Sequence, residues 1–101
     1  ILNCIDAAKA EGGEILTGGN RVILEGDLKD GYYIEPTIID GLTANCKTNQ
    51  EEIFGPVVSM IPFKTEEEVI EMANSTKYGL SASLFTNDVS RAHRVAAAID
   101  S

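Results

Sequence analysis

The order of strand and helix patterns in the second half of the chain constrains its fold most. Residues 57–63 form an almost continuous apolar run, and residues 80–86 form a second run of small and apolar side chains. A helix signal follows each run: Thr65 and Glu68 make a capping-box pattern, and an Asn-Asp pair at 87–88 offers an N-cap for the last helix. This alternation predicts an α/β fold with an open, mostly parallel sheet and flanking helices.

The first half of the chain predicts shorter elements. Residues 1–11 carry apolar side chains in a roughly helical period, and residues 14–17 predict a short strand. Residues 20–31 are mostly polar and predict a loop or the turn of a loose hairpin. Residues 32–39 are aromatic and β-branched and predict a further strand. Within it, Pro36 has no backbone N–H to donate, which favours an edge strand or a bulge.

Length and charge exclude several classes of protein. The chain has 101 residues, which is enough for one domain at most. Sixteen acidic and eight basic residues give a net charge of −8, which repels phosphate backbones and argues against a nucleic-acid partner. No apolar run approaches the roughly 18 residues that span a bilayer, so no membrane partner is predicted.

The cysteines and the single histidine indicate no metal site. Cys4 and Cys46 have neither metal-ligand spacing nor the density of a disulfide scaffold, and His93 is the only imidazole. A reducing, cytoplasmic location is therefore predicted. Cys46 lies in a polar stretch at 43–50 that predicts a turn or one helical turn. No base or helix N-terminus is evident beside either thiol, so both are predicted to be passive.

The run over residues 51–57 carries the strongest chemical signal. Glu51 and Glu52 precede Phe54 and Gly55 at the start of an apolar strand, where acidic residues are uncommon. One carboxylate has enough acceptor atoms for both hydroxyls of a ribose, and an aromatic ring can lie against a flat ring. Neighbouring strand residues point to opposite faces, so only one of the two acids is expected to address a given pocket. The alternative is a solvated acidic turn at a strand edge, which composition alone favours.

The same run resembles a segment of the NAD(P)-dependent aldehyde dehydrogenases, Glu-Glu-Ile-Phe-Gly-Pro. Residues 31–37 resemble the Gly-Tyr-Phe-x-x-Pro-Thr segment of that family, and residues 74–80 its Ala-Asn-x-x-x-Tyr-Gly-Leu segment. Residues 84–92 resemble the strand and helix that follow. These segments occur in the order of the family, whereas residues 1–30 fit more loosely, through their Gly-Gly pairs.

The resemblance implies that residues 1–101 are a single partial domain, the C-terminal half of a catalytic domain truncated at both ends. Glu52 would correspond to the carboxylate that binds the nicotinamide ribose, and Phe54 to the aromatic residue beside the nicotinamide end of the cofactor. Glu51, Gly55 and the following proline would be structural. No catalytic residue is assigned, because the Gly-Gln-x-Cys context of the family nucleophile does not occur in this sequence.

The resemblance also implies a parent protein that oxidises an aldehyde to a carboxylic acid with NAD or NADP and forms a homo-oligomer. The chain alone is expected to be inactive and to bind cofactor weakly or not at all. Residues 45–52 resemble members that act on muconate-type semialdehydes. The competing hypothesis is a non-catalytic α/β module used for association or scaffolding.

Overall fold

The structure is a computed structural model that describes residues 1–101, and it divides into two compact units, Ile1–Ile61 and Pro62–Ser101. The first unit contains α1 (Leu2–Ala10), β1 (Glu14–Thr17), β2 (Arg21–Val22), a 3₁₀ helix (Gly26–Leu28), β3 (Tyr33–Ile34), β4 (Thr37–Asp40), α2 (Lys47–Gln50) and β5 (Val57–Ser59). The second unit contains α3 (Glu66–Ala73) and α4 (Val89–Ala98). None of these helices is long and apolar enough to cross a lipid bilayer.

The central sheet of the first unit has the strand order β1-β4-β5. β4 and β5 are parallel, with Thr37 opposite Val57 and Ile39 opposite Ser59, and the connection between them contains α2. β1 pairs antiparallel with β4, and β2 pairs antiparallel with β3 in a separate two-stranded sheet. The predicted α/β class is confirmed. Within the central sheet the β4–β5 pair is parallel and the β1–β4 pair is antiparallel.

The hydrophobic core of the first unit lies between α1 and the central sheet. Ile5 and Ala8 are three positions apart on α1 and are fully buried, as is Ile39 on β4. Leu42 completes this core just beyond the strand. Gly13 allows the close packing, because a Cβ atom there would lie 2.9 Å from the Ala8 carbonyl oxygen and 3.1 Å from Ile39 Cγ2.

Pro36 is the point at which the chain passes from one sheet to the other. The prediction of a single strand over residues 32–39 is wrong, since β3 and β4 belong to different sheets. Before the proline, the Glu35 N–H donates to the Asn20 carbonyl at 3.0 Å. After it, the Thr37 N–H donates to the Pro56 carbonyl at 2.8 Å. Pro36 has no N–H to continue either ladder, and the break falls there.

The second unit begins both of its helices with side-chain caps. Thr65 Oγ1 accepts a hydrogen bond from the Glu68 N–H at 3.1 Å, as the capping pattern predicts. The Glu68 carboxylate reaches one residue further back and accepts from the Lys64 N–H at 2.8 Å. Asp88 is the cap of α4, where its Oδ1 accepts from the Arg91 N–H at 3.0 Å.

An ion pair joins the two helices of this unit. The Arg94 guanidinium donates two hydrogen bonds of 2.7 Å to the Glu66 carboxylate, and Arg91 Nε lies 3.4 Å from the same group. The hydrogen bond from Arg94, together with the two positive charges, lowers the pKa of Glu66. The polar face of α4 therefore contacts α3 through two arginines whose side chains stay about half exposed.

Two strand predictions in the second half are wrong. Residues 80–86 have the composition of a buried strand, but no neighbouring strand pairs with them, and Leu80 and Phe85 are 99% and 96% exposed. The run over residues 57–63 is a strand only as far as Ser59. A strand requires a partner that accepts and donates along its edge, and apolar composition does not supply one.

Candidate functional site

A depression of about 780 Å³ lies beside α2 and β5 in the first unit. It brings together two carboxylates, an aromatic ring, small polar side chains and an apolar floor. Its lining residues are Thr48, Asn49, Glu51, Glu52, Ile53, Phe54, Gly55, Val57, Ser59 and Ile61. The predicted site residues Glu52 and Phe54 thus line the same concave surface.

Both acids of the tandem pair line this depression, so the prediction that only one would address it is wrong. That prediction assumed that both acids lie on a strand. In the structure α2 ends at Gln50, Glu51 follows it with φ −115° and ψ 147°, and β5 begins only at Val57. Residues between these elements form a loop, where the alternation of a strand does not apply. Glu51 also lines a smaller cavity of about 140 Å³ against α1.

Phe54 has the least favourable backbone conformation in the loop. Its φ is 58°, in the left-handed region, which costs a residue with a Cβ about 1–2 kcal/mol. Its side chain is 87% exposed, so burial of the ring does not offset this cost. Such strain occurs most often at ligand-binding sites and persists where the surrounding structure enforces it. The conformation presents a flat apolar ring at the edge of the depression.

Contacts on the C-terminal side of Phe54 hold the loop in this shape. Gly55 passes close to the first residue of the chain, since a Cβ atom there would lie 2.6 Å from Ile1 Cδ1. The Gly55 carbonyl accepts from the Val57 N–H at 2.8 Å, and the Pro56 carbonyl accepts from the Thr37 N–H at 2.8 Å. The loop therefore enters β5 already bonded to β4.

Contacts on the N-terminal side run through α2. Asn49 and Gln50 donate their side-chain amides to the Thr43 and Ala44 carbonyls, each at 2.7 Å. These bonds join the end of α2 to the turn that precedes it. Residues 43–50 are predicted to form a turn or one helical turn, and the structure has a turn followed by the short helix α2 over Lys47–Gln50.

The carboxylate of Glu11, the residue just after α1, binds the other end of α2. Glu11 accepts hydrogen bonds from the Lys47 N–H at 2.8 Å and the Thr48 N–H at 3.2 Å, and from Thr48 Oγ1 at 2.5 Å. The Thr48 hydroxyl is the main cause of a lowered pKa at Glu11, and the two backbone N–H groups act in the same direction. Sequence reasoning missed this residue, because it lies 36 positions before Lys47 and looks like any acid at a helix end.

Neither cysteine lines the depression. Cys4 is on α1, where it lines the smaller cavity, and both thiols are free. Cys46 is the N-cap residue of α2, so the prediction that no helix N-terminus lies near it is wrong. That helix has only four residues, and the Glu11 carboxylate lies beside its first turn. No group of three or more His, Cys, Asp or Glu side chains is placed to hold a metal ion.

Ser59 is a second residue of the depression that sequence reasoning missed. Its Oγ atom is buried and has no hydrogen-bond partner in the structure. A buried hydroxyl without a partner costs about 1–3 kcal/mol. The signal was present in the sequence, because Ser59 is the single hydroxyl inside the apolar run of residues 57–63.

Similar proteins place this chain among dehydrogenases. The sequence model of the aldehyde dehydrogenase family matches residues 1–101. Aldehyde dehydrogenase B of Escherichia coli (strain K12) is 53% identical over 95 residues, which are 94% of this chain and 18% of that protein. 4-Trimethylaminobutyraldehyde dehydrogenase A of Danio rerio is 48% identical, over 96% of this chain and 19% of that protein.

A solved structure supports the same relationship. A point mutant of betaine aldehyde dehydrogenase from Staphylococcus aureus, in complex with NAD+, superposes with a TM-score of 0.91 at 43% identity. The match covers 98% of this chain and 20% of that one. The chain thus spans about one fifth of the length of the relatives that it matches. The predicted family is confirmed, and the chain belongs to the aldehyde dehydrogenase family.

Proposed function

We propose that this chain forms part of the cofactor site of an NAD(P)-dependent aldehyde dehydrogenase, an enzyme that oxidises an aldehyde to a carboxylic acid. The observation that carries the proposal is the depression in which Glu52 and Phe54 lie together, in a chain that matches the family along its whole length. In this proposal the chain orients the cofactor, and the nucleophile comes from another part of the protein.

The side chains of the depression fit a nicotinamide ribose. The Glu52 carboxylate has two acceptor oxygens and would hold the ribose through its hydroxyls. The exposed ring of Phe54 provides an apolar face for the flat nicotinamide. When bound, the nicotinamide supplies the hydride acceptor of the reaction. Holding the ribose fixes the direction in which the reactive carbon faces, and hydride transfer depends steeply on that geometry.

Replacing Glu52 in the full-length enzyme tests this assignment. Because a carboxylate that grips the ribose also aligns the ring, Glu52→Ala is expected to lower kcat/KM for the cofactor by about tenfold or more. Steady-state kinetics with varied NAD and NADP measure it. Glu51→Ala is the matched control, since it removes the adjacent acid from the same depression.

The two variants separate the possible results. A large loss for Glu52→Ala with a small one for Glu51→Ala supports the proposal. Equal losses would mean that the pair acts through its charge alone. Unchanged kcat and cofactor KM in Glu52→Ala would refute the role of that residue.

The cofactor, the substrate and the location of the protein are proposed from separate observations. We propose NAD or NADP as the cofactor, since NAD+ is present in similar structures of betaine aldehyde dehydrogenase and of indole-3-acetaldehyde dehydrogenase. The substrate is an aldehyde, and the muconate-type semialdehyde suggested by residues 45–52 stays a prediction. A cytoplasmic location is proposed on the two free cysteines.

We propose a homo-oligomer because apolar side chains of the second unit are exposed. Leu80 and Phe85 are almost fully exposed, and apolar surface of this kind is usually covered by protein. The same observation favours the alternative of a non-catalytic association module. NAD titration of the full-length protein distinguishes the two, because a scaffold has no reason to bind the cofactor.

A further inference from the structure

Residues 51–56 form the cofactor loop, and α2 leads into it. This helix is too short to be stable by itself. α2 has four residues, and a single helical turn is unfavourable because few hydrogen bonds compensate for the residues that it orders. The side chain of its N-cap residue, Cys46, accepts no hydrogen bond from the first N–H groups. Those groups therefore need a partner from elsewhere in the fold.

Glu11 is that partner. Its two oxygens accept from Lys47 and Thr48 across 36 and 37 positions of sequence, so one side chain satisfies two backbone N–H groups at the start of α2. The negative charge also suits the positive end of the helix. α1 holds Glu11 in place, because the Glu11 N–H donates to the Ala7 carbonyl at 3.0 Å.

The contact reaches the candidate site within one turn. Thr48 donates its hydroxyl to Glu11 and is also one of the residues that line the depression. The Glu51 N–H donates to the Lys47 carbonyl at 3.1 Å, so the first acid of the loop is hydrogen-bonded to a residue that Glu11 itself holds. Any shift of α2 moves the residues that follow it.

We propose that Glu11 is a positioning residue for the cofactor site: its carboxylate holds α2 against α1 and thereby sets the orientation of Glu52 and Phe54. This inference rests on the proposed function for the role of those two residues. Glu11 lies outside the depression and would not touch the cofactor. Its removal is nevertheless expected to weaken use of the cofactor.

The test uses Glu11→Gln in the full-length enzyme, since the amide keeps the size of the side chain and loses its charge and one acceptor. We expect kcat/KM for the cofactor to fall about tenfold, because small displacements of an orienting group are costly, while KM for the aldehyde changes less than about twofold. Glu25→Gln is the control, as it removes an exposed acid near the 3₁₀ helix. Melting temperatures should be equal in the two variants within error.

Hydrogen–deuterium exchange gives a second readout that does not depend on catalysis. Residues 47–55 should exchange faster in Glu11→Gln than in Glu25→Gln, because the Lys47 and Thr48 N–H groups lose their acceptor. Thr48→Val removes the partner hydroxyl, and the two substitutions combined should cost less than the sum of their separate effects. Glu11→Asp, which keeps the charge, should recover part of the loss.

The outcomes distinguish this inference from the proposed function. Unchanged exchange in Glu11→Gln, or faster exchange with unchanged cofactor kinetics, would overturn the positioning role. A silent Glu52→Ala beside an impaired Glu11→Gln would instead refute the assignment of Glu52 and leave Glu11 as the residue that controls the loop. Additive effects of the Glu11 and Thr48 substitutions would also contradict the proposed contact.

Discussion

At the scale of single residues, the site contains one residue that suits its position and one whose backbone is strained. Glu52 stands in an exposed loop, whereas Phe54 occupies a left-handed conformation that suits glycine far better. The strain at Phe54 and its exposed ring are difficult to explain by folding alone. A residue whose ring binds a ligand gives a reason for both.

Substitution of Phe54 separates stability from function. Phe54→Gly should keep or raise the free energy of unfolding, by up to about 1 kcal/mol, because glycine relieves the left-handed strain and little buried surface is lost. Phe54→Ala is the matched control, since it removes the ring and keeps the strain. Urea unfolding measures the stability of both variants.

Cofactor affinity should respond differently to these two variants. Both lose the ring, so both should bind the cofactor less tightly than the natural sequence in a fluorescence titration. A glycine variant less stable than the alanine variant would contradict the assigned strain, and unchanged affinity in both would contradict the role of the ring.

At the scale of elements, Thr37 joins the segments that surround the loop. Only 2% of it is exposed, and its hydroxyl accepts from the Gly19 N–H and donates to the Glu35 carbonyl, each at 2.8 Å. Its backbone N–H bonds Pro56 at the end of the cofactor loop. Thr37 thus connects three segments: the turn at Gly19, the point near Pro36 where the chain passes between sheets, and the end of the cofactor loop.

Removal of this hydroxyl should destabilise the fold. Thr37→Val is expected to lower the free energy of unfolding by about 1–3 kcal/mol, because the Gly19 N–H and Glu35 carbonyl lose a buried partner. Denaturant unfolding measures the change. Thr37→Ser keeps the hydroxyl and should cost only about 1 kcal/mol for the missing methyl group. Equal losses in the two variants would show that packing, and not hydrogen bonding, is what matters at this position.

Local signals were predicted well from the sequence, and non-local ones were not. Thr65 and Asp88 cap their helices as expected, because a cap depends on neighbours within three positions. The strand predicted at residues 80–86 fails, since pairing depends on a partner that the pattern does not reveal. The Glu11 contact was missed for the same reason, as its partners are 36 and 37 residues away.

The candidate site was predicted through resemblance more than through chemistry. A solvated acidic turn is what composition alone favoured for Glu51 and Glu52, and both acids are indeed exposed. What the structure adds is their common position in one depression with Phe54. Thr48 and Ser59 line the same depression. Ser59 stands out in the sequence as the single hydroxyl of its apolar run, whereas nothing in the sequence marks Thr48.

At the scale of the whole molecule, apolar surface is distributed unevenly. The core of the first unit contains Ile5 and Ile39, whereas the second unit buries little besides Val95, and its Phe85 is 96% exposed. Exposed aromatic side chains promote association. Phe85 is therefore a candidate for contact with other protein surface.

Replacing Phe85 tests this difference. Phe85→Ser should reduce self-association in sedimentation experiments while leaving the free energy of unfolding almost unchanged, because the ring makes little contact in the folded chain. Val95→Ala is the contrast: it removes a side chain that is 7% exposed, and should cost about 1–3 kcal/mol. Loss of stability in Phe85→Ser would show that the ring is packed in the folded protein.

The attachment of the cofactor loop at both ends has a thermodynamic consequence. Glu11 holds the helix before it, and the bond between Thr37 and Pro56 holds the strand after it. A loop restrained in this way has given up most of its conformational entropy during folding. A ligand that binds there meets a preorganised surface, and its affinity is not reduced by the cost of ordering the backbone.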